Sequence, residues 1–322
     1  MSENTEISWT DATFNPWIGC TKISPGCDRC YAEAWDARFD GGESHWGPGA
    51  PRRRTGQKNW NLPLRWEREA ATFFAEHGRR RRVFCASLAD VFDNEVDAAW
   101  RSDLFELIAR TPSLDWLVLT KRIGNAKPMM EKARLDLLLR NTGAGWPLKN
   151  LWLGATIVNR EEMLRDAPKL KAIRAAVRFW SCEPLLGQLG YIPGVMMPDW
   201  IIAGGESGAG ARPMHLGWVR SLRDDCAANG VAFHFKQHGE YSNHMVDESG
   251  NIEPGLDMTR MSPKFLQEWL TSEGWKPVDP ARSAGDMFQP GAIIAQRVGK
   301  HVAGRMLDGA EHNAFPVPRA IP

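Results

Sequence analysis

Three of the chain's six cysteines, Cys20, Cys27 and Cys30, fall within eleven residues of "CTKISPGCDRCY" (20–31). The prolines, glycines and polar residues around them describe a loop. Three thiols on one loop admit four chemistries. A structural zinc site wants four ligands, so it needs His45, or Cys85 from the next strand, as the fourth. A redox pair made of Cys27 and Cys30 leaves Cys20 idle. Disulfides belong to oxidising compartments, whereas the polar start "MSENTEISW" is no signal peptide and the expected location is cytoplasmic. The fourth chemistry is a [4Fe-4S] cluster. A fully ligated cubane takes four cysteines; three leave one iron open, as a catalytic metal keeps an exchangeable position. An open iron takes the amino and carboxylate groups of S-adenosylmethionine (SAM). The sulfonium of SAM can then accept an electron from the cluster, and the broken carbon–sulfur bond yields a 5′-deoxyadenosyl radical that abstracts hydrogen from unactivated carbon.

A frame is needed to position such a loop, and the sequence supplies a rhythm for one. Short β-rich runs recur at "VFCAS" (83–87), "WLVLT" (116–120), "LWLGAT" (151–156), "VRFWS" (177–181), "WIIAGG" (200–205) and "VAFHFK" (231–236), with "FNPWIGC" as a further first strand. Helical patterns lie between them. In "DAAWRSDLFELIAR", Trp100, Leu104, Leu107 and Ile108 share one face, and "HLGWVRSLRDDCAANG" ends on the helix-stop residue Gly230. Strands alternating with helices predict an α/β fold with a parallel sheet, either a partial or complete (β/α) barrel or an open doubly wound sheet. Residues 1–240 form the expected barrel domain. Residues 241–322 form an irregular C-terminal extension that packs on or closes the barrel. In it "DESGNIEPG" reads as a turn or hairpin, "SPKFLQEWLTSEG" as a short helix with Ser262 as candidate N-cap, and "RVGKHVAGRMLDGAEHNAFP" as a helix start that terminates near Gly309.

With 43% hydrophobic and 25% charged residues and a net charge of +1, the 322-residue chain has globular composition, and no apolar run approaches the ~20 residues of a membrane span. Arg52 to Arg82 is locally basic, with ten Lys or Arg against three Glu, and suits either phosphate contact or a solvated charged face. Of the fifteen tryptophans, Trp9, Trp17, Trp35, Trp46 and Trp60 lie near the cysteines, where a flat ring either packs or stacks on a base.

Each strand finishes in polar or small residues, and in parallel α/β folds that rim carries the site. With SAM on the open iron, Ser87 and Asp90 receive its amino group or neighbouring atoms, and Thr156 and Asn159 address the ribose. Glu183 and Glu206, the latter followed by Arg212, face the substrate end. Cys182 is either a radical hydrogen donor or a small buried thiol. His215, His234 and His238 raise a second metal, although His234, between Phe233 and Phe235, fits a core histidine.

The cysteine loop resembles the cluster loop of radical-SAM enzymes, which follows the first strand of a partial or full barrel. It departs from their commonest spacing: six residues and then two separate the cysteines, and Arg29 stands where an aromatic residue often precedes the third. Nearly the whole chain is similar to a family of phage and prophage proteins of unassigned function that share a three-cysteine motif. The likeness runs through "FNPWIGC", "SPGCDRCYA", "WNLPLRW", "SLADVFDNEV", "LTKR", "LWLGAT", "SCEPLLG", "AGGESGAGARPM", "FKQHG" and "RVGKHVAGRMLDG". The "LTKR" strand end also resembles that of the spore photoproduct lyase group, by which Lys121 would bind the SAM carboxylate. These likenesses imply a [4Fe-4S] radical-SAM enzyme in the cytoplasm of a bacterial host cell, acting on a nucleobase or nucleotide in DNA or RNA. They imply a reducing donor such as flavodoxin or ferredoxin, and a phage-encoded partner protein, with no membrane. The alternatives are a zinc-stapled nucleic-acid-binding or scaffolding protein, and a radical enzyme acting on a small metabolite or peptide.

Overall fold

In a computed structural model of the chain, the described residues are 5–39, 42–245, 267–271, 274–277 and 293–318. The chain opens with β1 (Ala12–Thr13) and β2 (Trp17–Ile18); β2 pairs antiparallel with β3 (Arg53–Arg54). Six longer strands follow: β4 (Arg81–Cys85), β5 (Leu114–Thr120), β6 (Leu151–Thr156), β7 (Val177–Cys182), β8 (Trp200–Gly204) and β9 (Ala232–Gln237). Each coincides with a predicted run. The first strand of the sheet is the one displaced, lying upstream of "FNPWIGC".

The sheet is parallel throughout, in the order β1-β4-β5-β6-β7-β8-β9. A doubly wound sheet reverses its strand order at a switch point and carries helices on both faces. Here the order never reverses, so right-handed crossovers put the helices on one face, and the sheet curls into a half-barrel. The long β1–β4 connection holds the cysteine loop and four helices, α1 (Tyr31–Phe39), α2 (Gln57–Trp60), α3 (Leu62–Arg68) and α4 (Ala70–His77). The later crossovers carry α5 (Ala98–Ala109), α6 (Ile123–Leu139), α7 (Arg160–Lys171) and α8 (Leu216–Ala228). In α5, Leu104, Leu107 and Ile108 are buried on the predicted face, and Asp97 caps the helix by accepting from the Ala99 N–H.

Strand alternation divides the core in two. Val83, Cys85, Trp116, Val118, Leu153, Trp180, Cys182, Ile201 and Phe235 point outward into the helix layer. Phe84, Leu117, Trp152, Phe179, Trp200 and Ile202 point into the concave side, where Trp9 and Phe315 pack on them. These large rings fill the amino end of the half-barrel and leave its carboxyl end open.

The extension departs from expectation. Residues 267–271, predicted helical, form β11 (Gln267–Thr271) of an antiparallel sheet with β10 (Tyr241–Met245), β12 (Gly274–Pro277) and β13 (Ile293–Arg297), in the order β10-β13-β11-β12. Cross-strand pairing overrides the local helical period of "SPKFLQEWLTSEG"; Ser262 and "DESGNIEPG" lie outside the described residues. The predicted terminal helix is a single turn, α9 (Lys300–Ala303), stopped at Gly304 with φ +69°. Beyond it Asn313 bridges antiparallel to His234, the Phe235 N–H donates to the His312 carbonyl, and the Trp200 indole donates to the Ala314 carbonyl at 3.0 Å. The described part of the tail therefore covers the edge and floor of the half-barrel, and Lys300 reaches the cavity at its carboxyl end.

His234 is fully buried beneath this tail, with its Nε2 2.9 Å from the Ser8 hydroxyl. Burial, assisted by Arg305, Lys236 and Arg82, pushes the imidazole down to about 4. Because the folded chain resists protonation here, stability is full above the ordinary pKa of ~6.5 and falls as the pH drops from there toward 4. The expected slope from this group is about 1.4 kcal/mol per pH unit. Urea denaturation at pH 7.0, 6.0 and 5.0 should show His234→Asn losing less stability across that range than wild type; parallel curves would contradict this.

Candidate functional site

The open end of the half-barrel forms a cavity of about 580 Å³, within the range of small-molecule sites. Cys20, Cys27 and Cys30 line it, together with Ser87, Asp90, Lys121, Thr156, Glu183 and Glu206 from the predicted set. Ser181, Lys236, Arg122, Tyr31 and Trp46 join them.

The loop that carries the thiols is built around buried charge. On the Cys20 side, Arg52 is folded inward. Its Nε donates to Asp93 at 2.9 Å, its Nη1 to the carbonyls of His45 and Ala50 at 3.0 Å each, and its Nη2 to the Thr21 hydroxyl at 2.7 Å and to Glu95. Arg122 reaches the same loop from the end of β5, donating to the Thr21 carbonyl at 2.7 Å and to the Cys20 sulfur at 3.2 Å. Asp90 holds that strand end in place: its Oδ1 accepts from the Thr120 hydroxyl at 2.7 Å and its Oδ2 from the Lys121 N–H at 2.9 Å. Gly19 enters the loop at φ +111°, where a Cβ would lie 2.4 Å from the His45 carbonyl oxygen, so only glycine fits.

The other half of the loop is clamped from β8. Arg212 grips Glu206 through Nη2–Oε1 at 2.6 Å and Nε–Oε2 at 2.9 Å, while its Nη1 donates to Asp28 and its Nη2 to the Pro25 carbonyl, each at 2.9 Å. Arg29 adds a contact to Glu206 at 3.4 Å. Ser24 starts the turn that holds Cys27, its hydroxyl accepting from the Gly26 N–H.

Several predicted residues take other parts. Cys182 is buried on the helix-facing side with its thiol pushed well up by burial, so it stays out of the cavity. Asn159 caps α7, its side-chain oxygen accepting from the Glu162 N–H at 3.0 Å, and does not line the cavity. Glu206 and Asp90 touch the cavity, but their oxygens are engaged in holding the loop. His45 and Cys85 do not reach it: His45 Nδ1 sits 3.0 Å from buried Asp36, and Cys85 faces the helices. His215 caps α8 by accepting from the Gly217 N–H, and His238 Nε2 lies 2.7 Å from the Met306 carbonyl. Among the described residues no three His, Cys, Asp or Glu side chains converge as ligands of one ion.

Much of the basic stretch is also occupied. Arg79 pairs with Asp11, Arg81 lies over Phe73, Arg82 over Phe315, and Arg54 pairs with Asp103 and lies over Trp60. The run Arg79–Arg82 leads into the amino end of β4, across the sheet from the cysteines.

Burial, then the neighbouring Asp90 charge, pushes the Cys20 thiol up to about 11 against the pull of Arg122. Lys121 makes no ion pair among the described residues, and its stem lies over Gly26, where a Cβ would fall 3.5 Å from Lys121 Cε. The Thr156 hydroxyl is buried without a hydrogen-bond partner among the described residues. Glu183 pairs with Lys236 at 3.2 Å.

Fold and site together define an α/β half-barrel protein with a thiol-bearing loop over the carboxyl ends of its strands. The family described as protein of unknown function (DUF5131) matches residues 4–316, and the chain belongs to it. No curated protein and no solved structure matches the chain. Among the described residues no helix is long and apolar enough to cross a membrane.

Proposed function

We propose that the protein is a radical-SAM-type enzyme that holds a [4Fe-4S] cluster on Cys20, Cys27 and Cys30 and acts on a nucleobase or nucleotide in DNA or RNA. The observation that carries this reading is that the three thiols and Lys121, which has no ion pair among the described residues, line one cavity at the carboxyl ends of a parallel half-barrel. The donor set fits the group. A cluster takes each thiolate on a different iron, so its ligands need not meet at a point, as those of one zinc ion must. When bound, the cluster supplies the electron that cleaves the SAM sulfonium.

The chain's own residues do the positioning. Lys121 offers a point cation to the SAM carboxylate. The orphaned Thr156 hydroxyl and the Glu183–Lys236 pair present polar groups to whatever lies deeper. Arg122 and Arg212 fix the two halves of the cysteine loop. A flavodoxin- or ferredoxin-type donor supplies the electron, and the likeness to phage and prophage proteins supports a nucleic-acid target, with a phage-encoded partner.

Anaerobic reconstitution tests this. About four irons and four sulfides per chain are expected, with 5′-deoxyadenosine released from SAM under dithionite and a change in yield when DNA, RNA or nucleotides are added. One zinc per chain with no sulfide would overturn it.

A further inference from the structure

The concave wall below the thiols has an ordered set of polar groups. Across successive strands it presents Thr156 at the end of β6, Ser181 and Glu183 at the end of β7, and Lys236 on β9. Between them β8 contributes Gly204. A Cβ there would sit 3.4 Å from Glu183 Oε1 and 3.5 Å from Lys236 Cβ, so the absent side chain leaves the acid and the amine free to meet across that strand. Glu183 is an acceptor with the Lys236 cation on one side and the Ser181 hydroxyl 3.5 Å from its Oε2 on the other, and Thr156 stands in register with Ser181 on the next strand. Thr156 is 2% exposed, and its hydroxyl has no hydrogen-bond partner among the described residues. Beneath this row Trp9, Phe84 and Leu119 line the same cavity, with Trp9 edge-on to Phe84 at 4.7 Å between centroids.

A row of donor, acceptor and hydroxyl above an aromatic floor fits a flat ring whose edge carries a carbonyl beside an N–H. We infer that the concave wall is a subsite for the carbonyl/N–H edge of a nucleobase, the edge shared by uracil, thymine and guanine. The ring carbonyl accepts from Lys236 Nζ, the adjacent ring N–H donates to the Glu183 carboxylate, and the next group along the edge meets Thr156 or Ser181. Adenine and cytosine turn a ring-nitrogen lone pair toward the carboxylate and are disfavoured. An amino-acid zwitterion would also satisfy Glu183 and Lys236, but it leaves the aromatic floor uncovered and the Thr156 hydroxyl unpaired. The inference rests on the reading of this cavity as the substrate site and does not need the cluster.

Calorimetric titration of the full-length protein, as purified and after reconstitution, with uridine, guanosine, cytidine and adenosine tests it. Uridine and guanosine should bind roughly tenfold tighter than the other two, the discrimination a good paired edge contact provides. Glu183→Gln should erase that preference, because an amide donates as well as accepts, and Thr156→Val should weaken uridine. Equal affinities for the four nucleosides, displacement of uridine by free methionine, or no binding by the wild type would each overturn the subsite. If the Glu183 variant does not fold, the wild-type series decides alone. Sulfide analysis of the same sample separates the two readings: base preference without sulfide sinks the radical chemistry and keeps the subsite, and sulfide without preference does the reverse.

Discussion

Single replacement of Cys20, Cys27 or Cys30 by alanine is expected to abolish the labile sulfide and the brown absorbance of reconstituted protein, and with them SAM cleavage. Replacement of Cys85, Cys182 or Cys226 should leave both in place. The contrast follows from position. The first three thiols line the cavity, whereas Cys85 and Cys182 face the helix layer and Cys226 is buried in α8. A metal takes a thiolate only where the sulfur can reach it, and none of these three buried thiols lines the cavity. Alanine removes little volume at these three core sites, so a stability cost of a few kcal/mol or less is expected from them. Sulfide quantitation and 5′-deoxyadenosine yield across the six variants are the measurements. Retained sulfide in a Cys27→Ala protein, or its loss in Cys182→Ala, would remove the basis for the cluster.

Why the sequence separates these two sets only in part is a matter of strand parity. The strands themselves are legible, because runs such as "LWLGAT" and "WIIAGG" are apolar, short and evenly spaced. A parallel sheet covered by helices needs that pattern; whether the order runs on or reverses is settled by the structure, where it runs on. At the end of β7, "SCE" offers three polar or reactive residues, yet neighbours on a strand face opposite ways. Ser181 and Glu183 face the cavity and Cys182 cannot. The same rule admits Thr156 from β6. Asn159, three residues on and at the start of a helix, is a cap by its type and place.

Charge was less legible. "PRRRTGQK" reads as a basic surface, but Arg52 points inward because Asp93 and Glu95 arrive beside it from a loop forty residues away. Glu206 reads as a substrate acid, but Arg212, six residues later, takes both its oxygens. A side chain's partner is set by tertiary approach, which local composition does not encode. Residues 267–271 fail in part for the same reason: they pair with β12 just beyond them, but also with β13, more than twenty residues further on.

Arg52→Met is the substitution expected to cost the most stability. The Arg52 side chain is 1% exposed and Asp93 is 3% exposed, and their ion pair is 2.9 Å long. Removing the guanidinium strands a buried carboxylate and leaves the carbonyls of His45 and Ala50 and the Thr21 hydroxyl without their donor. Breaking a buried pair from one side costs about 3–5 kcal/mol. Arg122 reaches Asp93 only at 3.9 Å and is committed to Asp90 at 3.5 Å and to Thr21, so it does not fill the gap. Arg52→Lys should recover little, because one ammonium cannot reproduce a planar fork that reaches three segments at once. Asp93→Asn, which removes the charge and keeps an acceptor for Nε, should be milder than Arg52→Met. Thermal denaturation should show the Met variant melting on the order of 10 °C lower. The local signature is faster alkylation of Cys20 with native far-UV circular dichroism. That loop is tied to the half-barrel by this guanidinium and by Arg122, and losing one tie frees Cys20 before it unfolds the sheet. A variant that melts like wild type and protects Cys20 equally well would show that the loop is held by the Arg122 and Arg212 contacts alone.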